Sequence, residues 1–460
     1  MEIEKKVVNY VLELDFEDIP TDVVEITKKS LLDILGVSLA ASRNPGLSIL
    51  IEQLKEWGGA PESSVLGHAI KLPAPAAAMA NGAMSRVLDF DDVVDTLGIH
   101  PSVAIFPPLM AIADIKGNVS GKEFLTAMTI GHDLCIRMAR ARNLTLLESG
   151  RYDLSKVIAA TAAAGKLYGL DEEQLQNALG IAYTSALGEA QCMVDGAMTV
   201  FYQQGLVASN AVRAVQLSAK GFTGAHNIFT GRYGYYSAFE PCSDLSEITE
   251  GLGKRFAGES LSYKPYPTCR PNISGISLAI ELIETGKVSV SDIREIIVRT
   301  NQQIFDLVCD PVEQKRNPIS VVDARFSLAY NVAVALVHRD VFIEDFTADA
   351  IERQDVIALS RKVTPVVDTR CDDPERLGCL GRTMMDLVMN DGSTITGEIV
   401  FPKGHPENPM SFVDVEEKFE KCIGYADISR ISANGRAVCD AIRSLENEVD
   451  VREIWRLIEV

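Results

Sequence analysis

The segment best suited to acid–base chemistry places three carboxylates just ahead of a histidine. Asp89, Asp91 and Asp92 stand in the run LDFDD, and His100 opens a His-Pro-Ser sequence that ends at Ser102. Neighbouring carboxylates raise one another's pKa or pair with a cation, and an imidazole titrates near neutrality. Both residue types therefore suit proton transfer. If this turn is helical, Asp89 and Asp92 share one face. A solvated acidic turn after a helix is the alternative that the residues leave open.

A proline-rich stretch supplies cations that could bind an acid. The sequence YKPYPTCRPN over 263–272 contains Lys264, Arg270 and three prolines within seven residues. The prolines favour a stiff, extended connection, and an arginine can hold a carboxylate with two parallel hydrogen bonds. We interpret this stretch as a domain junction that faces a substrate. A rigid linker with solvated cations is the alternative.

A third segment, DARFSLAY over 323–330, adds Arg325 and Tyr330. The arginine could hold a carboxylate, and the phenol could donate a proton to a leaving hydroxyl or to a carbon. On the residues alone, an amphipathic helix with a tyrosine in the core explains this segment better.

Overall charge argues against several classes of partner. The 460 residues include 44 Lys and Arg against 64 Asp and Glu, which gives a formal net charge of -20. Nucleic acids and anionic membranes bind clustered cations, so we expect neither as a partner. An anionic substrate would need a local positive patch on this negative chain.

Cysteine usage and hydropathy predict a cytoplasmic protein. The nine cysteines are scattered and none forms a Cys-x-x-Cys pair, which fits reduced thiols. The first twenty residues are charged and lack the apolar segment of a secretory signal. The least charged stretch, 96–113, contains three prolines, which makes it a poor membrane span.

The periodicity of apolar residues predicts a mainly α fold. Residues 1 to about 255 show almost continuous helical patterns, many rich in Ala and Gly, which favours close helix packing. From about 263 the pattern turns strand-like in IREIIVRT, VTPVVDTR and a run from 383 to 401, where Asp391-Gly392 predicts a hairpin. We therefore predict a large helical domain, 1–262 and 403–460, with a smaller inserted α+β lid domain, 263–402.

Taken together, these segments resemble the MmgE/PrpD family, which includes 2-methylcitrate dehydratase, cis-aconitate decarboxylase and iminodisuccinate epimerase. The resemblance covers essentially the whole chain and keeps the order of the family's motifs. The matching segments are Leu88–Asp92, His100–Ser102, Lys264–Arg270, Ala324–Tyr330 and Gly404–Met410.

The resemblance implies a homodimer that carries out chemistry at a carbon next to a carboxylate, without a metal or another cofactor. Of the matching positions, we predict His100, Asp89 and Tyr330 to be catalytic. We predict the substrate-binding residues to be Lys264, Arg270, Asp91 and Arg325. His100 would act as base or acid, and a neighbouring carboxylate would orient it. The cations would stabilise an enolate-like intermediate.

Several family positions differ in this sequence. Val200 stands where members usually carry a lysine, and Gln203, Ile273 and Asp153 stand where histidines are usual. Val93 replaces a small hydroxyl residue. Fewer cations favour a smaller or less charged substrate than a tricarboxylate.

Three functional hypotheses follow from this comparison. The first is a metal-independent hydro-lyase of the 2-methylcitrate dehydratase type, acting on a small di- or tricarboxylic acid. The second is an epimerase, isomerase or decarboxylase of a smaller dicarboxylate. The third is a family member that has lost catalysis.

The first testable prediction concerns the histidine. We expect His100→Ala to abolish turnover without unfolding the chain, because the variant lacks the proposed base. Turnover is followed by proton NMR and folding by circular dichroism. A folded and active His100→Ala variant would remove this residue from the mechanism.

Overall fold

The structure is a computed structural model that describes residues 2–142, 149–151, 155–240, 243–286, 288–372 and 381–460. The chain forms two compact units. The first contains 1–87, 99–261 and 411–460, and the second contains 88–98 and 262–410.

The first unit is built from helices, as the apolar periodicity predicts. Its only strands among the described residues are the short pair Ser63–Ser64 and Lys71–Leu72. Its α-helices are Glu2–Glu13, Thr21–Ala41, Pro45–Trp57, Ala74–Arg86, Ser102–Lys116, Gly121–Arg140, Lys156–Tyr168, Glu172–Tyr183, Gln191–Val194, Thr199–Ala219, Tyr235–Phe239, Ser246–Thr249, Phe412–Ala426, Ser429–Arg443 and Arg452–Ile458.

Small residues let two of these helices approach closely. A Cβ added to Gly205 would lie 2.5 Å from the carbonyl oxygen of Met79. One added to Gly82 would lie 3.0 Å from the carbonyl oxygen of Gln204. The helices Ala74–Arg86 and Thr199–Ala219 therefore pack backbone against backbone, which confirms the close helix packing predicted from their composition.

The second unit combines helices with a sheet of four strands. The strand order is Val363–Val367, Ile293–Thr300, Thr383–Met389, Thr394–Ile399, and only the first pair is parallel. Its α-helices are Asn272–Glu284, Gln302–Val308, Val312–Arg316, Val321–Arg325, Leu328–His338 and Gln354–Ser360.

The core of this unit lies between the sheet and its longest helices. Alternate residues of Thr383–Met389 are buried, as the period of two in a strand requires. Leu278 and Leu282 on the helix Asn272–Glu284 pack against Gly397 in the edge strand. The hairpin predicted at Asp391-Gly392 is confirmed: it joins the last two strands, and Gly392 adopts φ +89°.

The boundaries of the units differ from the predicted domains at two places. Segment 88–98 groups with the second unit, and that unit ends at residue 410. Val93 and Ser262 exchange two backbone hydrogen bonds of 2.9 and 2.8 Å, and the Tyr263 N–H donates to the Gly404 carbonyl at 3.0 Å. These backbone pairings join segments that are far apart in the sequence.

The apolar character of the helices and the state of the cysteines can be compared with the sequence-based expectations. Over the described ranges, no single helix has both the length and the apolar character of a membrane span; one bent pair, Thr21–Ala41 with Pro45–Trp57, meets both criteria by length and composition. Seven cysteines fall within these ranges, and all seven are buried free thiols.

The second prediction concerns Gly404, which has φ +87° and leaves only 1.9 Å between an added Cβ and the Tyr263 carbonyl oxygen. Gly404→Ala should lower the free energy of unfolding by roughly 2–4 kcal/mol, because backbone strain and a backbone clash add. Gly392→Ala is the matched control, since that site has a similar φ and no atom within 4 Å. We expect it to cost only about 1 kcal/mol in urea denaturation. Equal losses in the two variants would contradict the close approach at Gly404.

Candidate functional site

The acidic segment is buried and is not helical. The helix Ala74–Arg86 ends before it, and Asp89 adopts the left-handed conformation at φ +53°. The expectation that Asp89 and Asp92 share a helical face is therefore wrong, because a left-handed residue interrupts the helical repeat. Asp91 and Asp92 are 0% and 1% exposed, which excludes the solvated acidic turn as well.

Lys264 binds the carboxylate of Asp89 directly. The Nζ atom lies 2.7 Å from Asp89 Oδ1 and donates to the Asp89 carbonyl at 2.9 Å. The side chains are only 1% and 9% exposed. A buried charge of this kind is stable only when it is paired. The Lys264 ammonium and the Asp89 carboxylate therefore stabilise each other as an ion pair. The sequence predicted both residues, but as members of separate groups.

A second buried ion pair lies in the same unit. Arg270 Nε and Nη2 donate to the two carboxylate oxygens of Asp95 at 2.7 and 3.0 Å, and Arg270 Nη1 reaches the Lys403 carbonyl at 3.4 Å. Ser262 Oγ donates to Asp95 Oδ2 at 2.5 Å. Arg270 therefore connects its own segment with those that contain Asp95 and Lys403. This structural role is additional to any contact with a substrate. The sequence reasoning missed Asp95, although it continues the acidic run.

Tyr330 and Arg325 share a different neighbour. The Tyr330 hydroxyl donates to the carbonyl of Asp345 at 2.7 Å, and its ring lies 6.2 Å from that of Phe346. The Arg325 guanidinium lies 5.6 Å from the same Phe346 ring. Burial raises the pKa of Tyr330 above its usual range, and the Asp345 carboxylate raises it further. In this conformation Tyr330 is a tyrosine of the core, as the alternative interpretation of its segment states.

His100 belongs to the first unit and is partly buried. It immediately precedes Pro101, and the helix Ser102–Lys116 begins at Ser102. Ser102 Oγ lies 2.9 Å from Nε2 of His132, a histidine that the sequence reasoning did not single out. Burial lowers the pKa of His132 to about 3, so this imidazole stays neutral and serves as a hydrogen-bond partner.

Two of the divergent family positions serve the packing of the chain. The Gln203 amide accepts from the Glu189 N–H at 2.7 Å and donates to the Glu189 carbonyl at 3.1 Å. Ile273 is fully buried. Val200 lies in the first turn of the helix Thr199–Ala219, and Asp153 falls outside the described residues. Neither the Gln203 amide nor the Ile273 alkyl group can take up and release a proton as an imidazole does.

The structure therefore brings together Asp89 with Lys264, and Arg270 with Asp95, in one unit. Tyr330 and Arg325 meet around Phe346 in the same unit. Although several carboxylates follow one another here, the described part of the chain contains no group of three His, Cys, Asp or Glu side chains that could hold a metal ion.

Two protein-family models match this chain. The MmgE/PrpD N-terminal domain matches residues 5–247, and the MmgE/PrpD C-terminal domain matches residues 266–431. Between them they cover most of the sequence, including the acidic segment and Arg270, whereas Lys264 lies between the two matched ranges.

Curated relatives are similar over most of their length. The cis-aconitate decarboxylase-like protein oryM of Aspergillus oryzae is 27% identical, over 98% of this chain and 96% of the relative. A cis-aconitate decarboxylase of Aspergillus terreus is 26% identical, over 99% and 96%. The 2-methylcitrate dehydratase of Escherichia coli is 24% identical, over 82% and 80%. The chain is thus similar to enzymes named as decarboxylases and dehydratases.

The third prediction tests the buried pair. Lys264→Met should lower the free energy of unfolding by about 3–5 kcal/mol, because it leaves the Asp89 carboxylate buried without its cation. The double variant Asp89→Asn, Lys264→Met should recover part of that loss, since neither charge remains. Urea denaturation of the single and double variants measures both effects.

Arg353→Met is the control for that experiment, since its ion pair with Asp355 is about half exposed on both sides. Exposed pairs contribute at most about 1 kcal/mol, so we expect a small loss. If Lys264→Met lowers the free energy of unfolding no more than Arg353→Met does, the buried pair does not stabilise the fold as proposed.

Proposed function

Because the chain belongs to the MmgE/PrpD family, we propose that it is a lyase of small carboxylic acids that removes a proton next to a carboxylate. The observation that carries this proposal is the buried pair of Lys264 and Asp89. It keeps an ammonium group and a carboxylate in fixed positions, shielded from water. Electrostatic interactions are stronger in such surroundings than in bulk solvent.

In the proposed dehydration, each side chain has one role. His100 removes the proton from the carbon next to a substrate carboxylate, and the electron pair left behind forms the new double bond. The hydroxyl on the neighbouring carbon takes that proton from the His100 imidazolium and leaves as water. Lys264 stabilises the negative charge that develops on the carboxylate oxygens, while Asp89 holds the ammonium group in place.

Decarboxylation is the second candidate function. The Aspergillus relatives named as cis-aconitate decarboxylase or as cis-aconitate decarboxylase-like align with 98–99% of this chain, whereas the E. coli 2-methylcitrate dehydratase aligns with 82%. In that reaction the carbon–carboxylate bond breaks and carbon dioxide leaves. The electron pair stays on the carbon, which then takes a proton from protonated His100. The same cation would stabilise the same kind of intermediate.

The charges in the second unit favour a substrate with few carboxylates. Lys264 and Arg270 already bind Asp89 and Asp95. The carboxylates of a substrate must compete with these two aspartates for the two cations, so a third carboxylate would find neither cation free. We therefore propose that a dicarboxylate is preferred, whichever bond is broken.

The fourth prediction identifies the reaction. Citrate, 2-methylcitrate, cis-aconitate and iminodisuccinate are each incubated with the protein in deuterated water and followed by proton NMR, with and without a chelator. We expect turnover of at least one acid, unchanged by the chelator. Loss of water indicates the dehydratase, loss of carbon dioxide the decarboxylase, and deuterium exchange without net reaction an epimerase.

Matched variants make that experiment decisive. Asp89→Asn should lower turnover by about a hundredfold or more, because the pair loses its negative partner. Asp391→Asn, in the exposed hairpin turn, should leave turnover unchanged. A folded wild-type protein that neither converts any of these acids nor exchanges their protons would support the loss of catalysis instead.

A further inference from the structure

His405 is a buried histidine beside the second ion pair, and no role has been assigned to it so far. It is 6% exposed, and its ring stacks on Phe401 with centroids 4.8 Å apart. Nδ1 accepts a hydrogen bond from the Glu407 N–H at 3.0 Å. In the neutral imidazole the proton therefore resides on Nε2, because an accepting ring nitrogen carries none.

The Nε2 atom faces the carboxylate of the second pair. It lies 4.0 Å from Asp95 Oδ2, the oxygen that also accepts from Ser262 and from Arg270 Nη2. At this distance a neutral imidazole is too far from the carboxylate for a hydrogen bond, whereas a protonated imidazole forms an ion pair with it. Asp95 is therefore placed to interact with two cations once His405 is protonated.

Backbone contacts connect this cluster to the first pair. Gly404, which precedes His405, accepts from the N–H of Tyr263, which precedes Lys264. Ser262, which bonds Asp95, also pairs with Val93 in the segment that carries Asp89. A charge on His405 therefore acts on the same small group of chain segments that holds Lys264 and Asp89.

We propose that His405 is a positioning residue which, when protonated, shares Asp95 with Arg270 and so strengthens the binding of a carboxylate substrate in the second unit. This inference rests on the proposed function, since it concerns the same substrate. Protonation adds one positive charge beside Arg270. It thereby reduces the part of the negative charge of Asp95 that Arg270 must neutralise. More of the positive charge of Arg270 then remains for an anion.

The expected direction of the pH dependence follows from the groups around the imidazole. Burial lowers the pKa of His405, Asp95 and Glu407 raise it, and Arg270 lowers it. Because burial is the largest effect, the pKa lies below the usual value of 6.5. Binding should tighten as the pH falls through this pKa and weaken as it rises.

A purely structural role predicts a different result. If His405 only accepts the Glu407 N–H, His405→Asn should behave like the wild type, because the Asn oxygen can take the place of Nδ1. His405→Gln places an uncharged amide N–H near the position of Nε2. Neither amide titrates, so both variants lack the pH-dependent charge.

The fifth prediction uses fumarate, a dicarboxylate almost fully ionised from about pH 5.5 upward, as a probe that needs no turnover. Calorimetric titration should show that the wild type binds fumarate about tenfold more tightly at about pH 5.5 than at about pH 8. The gain should disappear in His405→Asn and in His405→Gln. At about pH 8, where the wild-type imidazole is uncharged, both His405→Gln and His405→Asn should match the wild type.

His338→Asn is the control, as it removes the other described histidine of this unit and should keep the gain. Circular dichroism and urea denaturation establish that each variant is folded. A gain that persists in His405→Asn, or a wild type that binds no fumarate at either pH, overturns the proposal. Failure of the proposed function would show instead as fumarate binding without turnover of any acid.

Discussion

The structure of the second unit depends on burying the Lys264 ammonium next to the Asp89 carboxylate. Removing two charges from water costs several kcal/mol for each ion, and only close geometry with further hydrogen bonds offsets that cost. Lys264 meets this condition by bonding both the side chain and the carbonyl of Asp89. The left-handed conformation of Asp89 presents both oxygens on the same side, and the pairing of Val93 with Ser262 holds the segment in place.

A second pair repeats the arrangement nearby. Arg270 holds Asp95 with two hydrogen bonds, Ser262 donates to the same carboxylate, and His405 lies beside it. The formal charge of -20 is thus unevenly distributed: the cations that could bind an acid are buried, and each already has a partner. A substrate carboxylate must compete with Asp89 or Asp95 for them, which is the physical reason to expect a substrate of low charge.

Much of the fold could be predicted from local patterns, and much of the site could not. Ala-rich and Gly-rich helices, the strand Ile293–Thr300 and the turn at Gly392 carry their signals within a few residues. The pair of Lys264 with Asp89 joins residues 175 positions apart, so no periodicity could reveal it. The bond from Tyr330 to the Asp345 carbonyl likewise depends on how a later turn packs against its helix.

We propose that a substrate carboxylate interacts with the pair of Lys264 and Asp89, and carbon-13 NMR of the aspartate carboxyl groups tests this interaction most directly. With Asp89→Asn used to assign the signal, fumarate is titrated into the labelled wild-type protein. We expect the Asp89 resonance to shift and to saturate with the dissociation constant measured by calorimetry. An Asp89 resonance that stays constant while fumarate binds elsewhere would contradict it.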